Sequence, residues 1–254
     1  MRITTWNVNG QRAAIKKGFR RFVAKIKPDI LLLQEIRATP DQLERKEARP
    51  RGWKVHWNPA DRKGYAGTAI WSRHDIELVA TGMGDHDDQG RITVVRTGGM
   101  LVGSIYLPSG SMNEDRQAAK EAWMERFQPW AAALAATDEP VVIGGDLNIA
   151  HQKIDIHNAT GNKRNSGFLP HEREWFTGLL EQGWTDLQRA HVGDEQGPYS
   201  WWSNRGQARK KNRGWRIDYL LGNAAAAARL QNAETLRRGG MVVSDHAPVT
   251  VDLA

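Results

Sequence analysis

Six places in the chain set a side chain able to do chemistry directly after an apolar run or at its edge: Asn7, Glu35, Tyr106, Asp146 with Asn148, Asp218, and Asp245 with His246. The set is carboxylates and carboxamides with one phenol and one imidazole, and the chain has no cysteine to add a thiolate. Hard ions such as magnesium prefer oxygen ligands, take one or two carboxylates, and leave other positions to water and to a substrate phosphate. Glu35 and Asp245 suit that role. Joined to a base that prepares a water, such a site fits metal-assisted hydrolysis of a phosphodiester. No His-Glu-x-x-His sequence is present, so thiolate and zinc-peptidase mechanisms have no support.

The elements that must carry these groups are legible as apolar runs. Pro140 to Asn148 reads Pro-Val-Val-Ile-Gly-Gly-Asp-Leu-Asn, a β-branched run ending in two glycines and a polar pair, which predicts a buried strand with Asp146 and Asn148 at its carboxyl end. Strand ends are where sites are built. Alone, Gly-Asp-x-Asn is equally an Asn-capped turn and Asp245-His246 a surface turn; the recurrence of such endings favours a site. Ile3 to Val8 and Asp29 to Glu35 predict two further strands. Phe19, Phe22, Val23 and Ile26 at helical spacing predict a helix over Lys16 to Lys27, stopped by Pro28. Short runs at 55–57, 67–71, 92–95 and 101–106 predict antiparallel strands.

Asn113 to Ala136 predicts a long helix whose Trp123, Phe127 and Trp130 stripe faces the core. The segment 150–168 is polar, with Asn158, Asn162 and Asn165 spaced four and three apart. Pro170 opens another helix, Tyr199 to Trp202 and Trp215 to Leu221 predict strands, and Val249 to Leu253 closes the chain. Between them lie Arg205, Arg209, Lys210, Lys211, Arg213 and Arg216. Such a run is ordinarily a solvated loop, but interleaving with tryptophans suits a nucleic acid backbone and an unstacked nucleotide.

The 254 residues suffice for one large core, and with no linker or repeat a single domain over 1–254 is the simplest account. A formal charge of +7 favours a polyanionic partner. The amino terminus lacks a signal-peptide pattern and no apolar run is long enough for a membrane span, so an intracellular protein of the bacterial cytosol or nucleoid, monomeric and away from membranes, is expected.

Eight stretches in order resemble the exodeoxyribonuclease III and AP endonuclease family of the endonuclease/exonuclease/phosphatase superfamily: Trp6-Asn7-Val8-Asn9-Gly10, Leu33-Gln34-Glu35, Lys63-Gly64-Tyr65-Ala66-Gly67, Tyr106-Leu107-Pro108-Ser109-Gly110, Gly144-Gly145-Asp146-Leu147-Asn148, Gly161 to Phe168, Gly214 to Tyr219, and Ser244 to Pro248. The resemblance runs nearly end to end. It implies a four-layered α/β sandwich, two packed mixed β-sheets flanked by helices, and an enzyme that cuts double-stranded DNA on the 5′ side of abasic sites, with 3′-5′ exonuclease and 3′-end cleaning beside it. Mg2+, or Mn2+ in its place, is the implied ion, with Glu35, Asp245 and Asn9 as its ligands.

The resemblance further makes Asp146 the group that positions or deprotonates water, Asn148 its orienting partner, and Asn7 a contact to the phosphate or the metal shell. Tyr106 and His246 would bind the phosphate, with Asp218 fixing the imidazole. The base is Asp146 in one reading and the His246 pair in the other. Trp201, Trp215 and Ile217 would line a pocket for the bare sugar, or the tryptophans would be core. Asn158, Asn162, Asn165, Arg216, Lys63 and Tyr65 complete the implied substrate contacts. Two positions depart from common family usage: Asn9 stands where some members have Asp, and Arg37 where many have Lys, a planar fork in place of a point charge.

A phosphatase of the same fold acting on inositol phosphates, and a DNA-binding module without catalysis, are the competing readings. The balance of endonuclease against exonuclease depends on the loops at Ser111-Met112 and Gly206 to Lys211.

Overall fold

The structure, a computed structural model, describes residues 1–111 and 113–254; Met112 lies outside the described residues. Strands β1 (Arg2–Asn7), β2 (Ile30–Gln34), β3 (Lys54–Asn58), β4 (Thr68–Ser72), β5 (Glu77–Thr81), β6 (Ile92–Thr97), β7 (Met100–Tyr106), β8 (Val141–Asp146), β9 (Thr185–Asp186), β10 (Asp218–Gly222), β11 (Leu230–Thr235) and β12 (Val249–Leu253) form two six-stranded sheets. Their orders are β11-β12-β1-β2-β4-β3 and β5-β6-β7-β8-β10-β9. Each sheet is mixed: β1 with β2 and β7 with β8 run parallel, their neighbours antiparallel. Helices α1 (Gln11–Lys16), α2 (Phe19–Ile26), α3 (Arg45–Ala48), α4 (Glu114–Ala135), α5 (Ala159–Asn162), α6 (Pro170–Glu181), α7 (Leu187–Val192), α8 (Ala224–Ala227) and α9 (Arg237–Val243) complete the chain.

Side-chain alternation builds the layers. Ile3, Ile30, Leu32, Ile70 and Val251 of the first sheet pack against Val95, Val102, Val142 and Leu220 of the second. On the outer faces Trp6, Leu31, Leu33 and Trp71 meet Phe19, Phe22 and Val23 of α2, while Ile105, Ile143 and Leu221 meet Phe127 of α4 and Phe176 of α6. The order is helix, sheet, sheet, helix. Gly144 keeps the inner gap narrow, since a Cβ there would lie 2.5 Å from Leu220 Cδ2. A buried amide and two hydroxyls, Gln34 with Thr5 at 3.0 Å and Ser104 at 2.9 Å, tie the sheets together just behind their shared end.

The same alternation aims the site. Asn7 shares a face with Ile3, Asp146 with Val142, Asp218 with Leu220 and Tyr106 with Val102, so all four point into the gap at one end of the sandwich.

Two expectations are corrected. The helix expected over 16–27 is α2 and begins only at Phe19, after Gly18, whose φ of 97° suits glycine, while α1 over Gln11–Lys16 precedes it. Tyr199 to Trp202 is not a strand: Trp201 makes single bridges to Trp215 and to His246, because the segment touches two different partners and follows neither. Strands β5, β9 and β11 carry no clear signal in the sequence; β5 is an exposed edge and β11 mixes apolar and polar residues without a clean period.

Candidate active site

Loops in strained backbone present the polar ends. Asn9, Glu35, Arg37 and Asn148 have φ near +48°, the left-handed region, which costs roughly 1–3 kcal/mol each for non-glycine residues and collects at functional sites. Asn7 is fully buried and joins the sheets: its Nδ2 donates to Glu35 Oε1 at 2.8 Å and to Asp146 Oδ2 at 2.9 Å. Asn148 donates its main-chain N–H to Asp146 Oδ1 at 2.9 Å, and its carboxamide is anchored on the Leu107 carbonyl. His246 Nδ1 lies 2.9 Å from Asp218 Oδ2, and Nε2 lies 3.8 Å from Asp146 Oδ2. Ser200 Oγ donates to Asp218 at 2.6 Å, fixing the carboxylate that holds the imidazole.

Burial is the largest influence on these groups. It pushes Asp146 up, Asp218 and Glu35 add to the push against the pull of His246, and the carboxyl titrates at about 7. Burial pulls His246 down, but Asp218 and Asp146 more than offset it and raise the imidazole to about 10. Burial, with Glu35 and Asp146 nearby, drives the Tyr106 phenol well above its usual range, so it stays a donor. Asp245 is pushed up by burial yet held below the usual carboxylate range by His246 and by Asn9, whose Nδ2 donates to it at 2.7 Å.

Glu35, Asp146 and His246 place one potential ligand atom each within 4.8 Å of one another, a group that could hold a metal ion. The sequence paired Glu35 with Asp245 and gave Asp146 to the water; here Asp146 stands in the tightest cluster, and Asp245 opens on the same cleft with Asn9, Glu35 and Arg37. Arg37 donates to Glu35 Oε2.

The cleft holds about 1030 Å³, at the upper end of small-ligand pockets and suited to a polymer segment. Tyr106, Asp146, Asn148, His246, Trp201, Trp215 and Ile217 line it together. Trp201 and Trp215 meet edge to face at 6.0 Å, both half-buried, and with Ile217 and Phe168 form an apolar cluster. Of Asn158, Asn162 and Asn165 only Asn165 reaches the cleft; Asn162 bonds back to the Asn158 and His157 carbonyls, and Asn158 caps Gly161. Tyr65 lines a neighbouring cleft beside Arg91, and Lys63 is exposed outside both.

Arg216 is placed otherwise than the sequence suggested. It is fully buried, 2.7 Å from both Asp155 and Asp186, and touches no part of the cleft. Those carboxylates outweigh burial and hold its guanidinium far above the usual range. Arg209 is spent on the Met241 and Ser244 carbonyls, which leaves Arg205, Lys210, Lys211 and Arg213 exposed. Arg164 and Arg205 line the cleft. Arg164 lies within the asparagine-rich stretch, where its charge was the available signal.

Two mixed sheets between helices, with a polar cleft where their inner faces end, define the endonuclease/exonuclease/phosphatase class of fold. The chain belongs to it: a sequence model of the Endonuclease/Exonuclease/phosphatase family matches residues 4–246. It is 36% identical over 252 residues to the exodeoxyribonuclease of Bacillus subtilis (strain 168), covering 98% of each chain. Its identity to the DNA repair nuclease APEX1 of Danio rerio is 37% over 258 residues, 100% of this chain and 82% of the relative. The solved structure of an AP endonuclease from Archaeoglobus fulgidus superposes with a TM-score of 0.91 at 26% identity, over 100% of this chain and 99% of the other.

Proposed function

We propose that the protein is a metal-dependent DNA-repair nuclease that hydrolyses the phosphodiester 5′ to an abasic site in duplex DNA, with 3′-5′ exonuclease and 3′-end cleaning at the same centre. One observation carries the reading: Glu35, Asp146 and His246, held from behind by the buried Asn7 and Asp218, open on the same cleft as the Trp201, Trp215 and Ile217 wall. The names of the relatives, an exodeoxyribonuclease and a DNA repair nuclease, support it.

The oxygen donors of Glu35, with Asp245 and Asn9 on the same cleft, suit Mg2+ or Mn2+, which leaves the neighbouring Asp146 to the water. His246, whose Nδ1 is held by Asp218 and whose proton is retained by the flanking carboxylates, suits the phosphate oxygens. Bound there, the ion would offset the charge that builds on the phosphate and leaving oxygens. Asp146, oriented by the Asn148 amide and the Asn7 carboxamide, accepts the proton of the attacking water. His246, anchored by Asp218, and the Tyr106 phenol donate to the phosphate oxygens. Asp146 therefore ranks before the His246 pair as the base.

A nucleotide without its base costs little to rotate out of the helix, and an apolar wall of two tryptophans and an isoleucine accepts a bare sugar while excluding a nucleobase. The test is a 5′-labelled duplex carrying one stable abasic analogue, resolved by size, with soluble inositol phosphates assayed in parallel. Cleavage at the phosphodiester just 5′ of the analogue, leaving a 3′-hydroxyl, is expected. Phosphate release from the inositol phosphates with the duplex left whole would replace this reading with a phosphatase of the same fold.

A further inference from the structure

Behind the cleft lies a buried ion pair that the chemistry above does not use. Lys120 on α4 and Glu172 in the first turn of α6 are both wholly shielded from solvent, with Nζ 2.6 Å from Oε1. Such a pair gains little stability over well-packed apolar side chains, because the cost of desolvating two charges offsets most of their attraction. What distinguishes this one is what it touches. Lys120 Nζ donates to the Asn148 carbonyl at 3.0 Å, and Glu172 Oε2 accepts from the Gly167 and Leu169 amides at 2.7 and 3.0 Å.

Those partners are the two halves of the cleft. Asn148 is in left-handed backbone, and its amide orients Asp146. Gly167 follows Asn165 and Ser166 of the cleft wall and sits where wall, strand end and pocket converge: a Cβ there would lie 2.9 Å from the Asn148 oxygen and 3.0 Å from the Trp215 ring. Main-chain pairing reinforces the junction, with the Ala150 N–H donating to the Gly167 carbonyl at 2.8 Å. An apolar pair in place of Lys120 and Glu172 would fill the space but offer no donor to Asn148 and no acceptor to Gly167 or Leu169.

We propose that Lys120 and Glu172 are positioning residues, a charged clamp that fixes the exit of β8 against the Asn165–Gly167 wall and so holds the amide that orients Asp146 in register with Trp215. The clamp touches neither substrate nor reacting atoms, and its catalytic consequence rests on the phosphodiester reading above. Lys120→Met with Glu172→Gln removes both charges and keeps shape and one acceptor oxygen.

The melting temperature of that double variant is expected to stay close to wild type. Its kcat on saturating abasic duplex should fall about 10- to 100-fold, the usual range for residues that orient reacting groups from behind. KM should hold, and hydrogen exchange should quicken at 147–150 and 165–169. Asp146→Asn should cost far less in this background than in wild type, because the clamp acts by orienting that carboxylate through the Asn148 main-chain N–H. If the double variant melts well below wild type, turnover and exchange measured well below both melting temperatures carry the same comparison. Wild-type turnover, or an undiminished Asp146→Asn loss, overturns the clamp. Should the wild-type protein leave abasic duplex uncut, the functional reading fails, and exchange still judges the clamp: faster exchange supports it, unchanged exchange overturns it.

Discussion

Asp146 carries two consequences that separate chemistry from folding. As the base it should lose about 10²- to 10⁴-fold in turnover on Asp146→Asn, with duplex affinity little changed in a gel-shift titration. Its folded-state pKa of about 7 lies above the ordinary 3.8, so the folded protein holds a proton that the unfolded chain has released. Stability from that proton is fully present below about pH 4 and is lost as pH rises toward about 7. In chelator, therefore, Asp146→Asn should gain in melting temperature on wild type across that window and level off above it; a constant difference would contradict the raised pKa. His246 and Asp218 act as one unit at 2.9 Å. Asp218→Asn should cost little activity once His246→Ala is present, and additive losses would count against the pairing.

The tryptophans test the account at the level of elements. Trp201 and Trp215 stand half-buried on the cleft, whereas Trp202 between them in sequence is fully buried, with Nε1 3.2 Å from Asn212 Oδ1. Trp215→Ala should narrow the preference for abasic over intact duplex with melting almost unmoved, while Trp202→Ala should cost roughly 3–5 kcal/mol. Arg216→Ala should also destabilise, by about 3–5 kcal/mol, since it strands Asp155 and Asp186 as buried charges. A drop in DNA affinity at unchanged stability would restore the contact role that its place in a basic run suggested.

That contrast shows what was legible. Apolar runs ending in polar groups announced β1, β2 and β8, because burial on both faces leaves a continuous signal. The partner of Arg216 could not be read, since Asp155 and Asp186 are distant in sequence and a buried arginine looks like an exposed one. The asparagines at 158 and 162 share a spacing with Asn165, but loop hydrogen bonding turns them away from the cleft. Lys120 gave no signal at all, being one charged residue in a helix whose polar positions are mostly exposed.

Over the whole molecule, one end of the sandwich carries the cleft because both sheets direct their inner faces there, and in a chain of net charge +7 that cleft is lined by Arg37, Arg164 and Arg205. Affinity for intact duplex should therefore fall steeply with salt. Replacing Arg205 and Lys210 with alanine should reduce the slope of log affinity against log salt by about one for each phosphate those side chains neutralise, equally for abasic and intact duplex.

The account stands most directly on the carboxylate cluster of Glu35 and Asp146 working with a divalent ion beside an apolar pocket. Cleavage of the abasic duplex should be followed over time against an intact duplex of the same sequence, each in excess magnesium and in excess chelator. Incision of the abasic duplex alone, and only with the ion, is the expected result; full incision in chelator, or equal cutting of both duplexes within the strand, would contradict it.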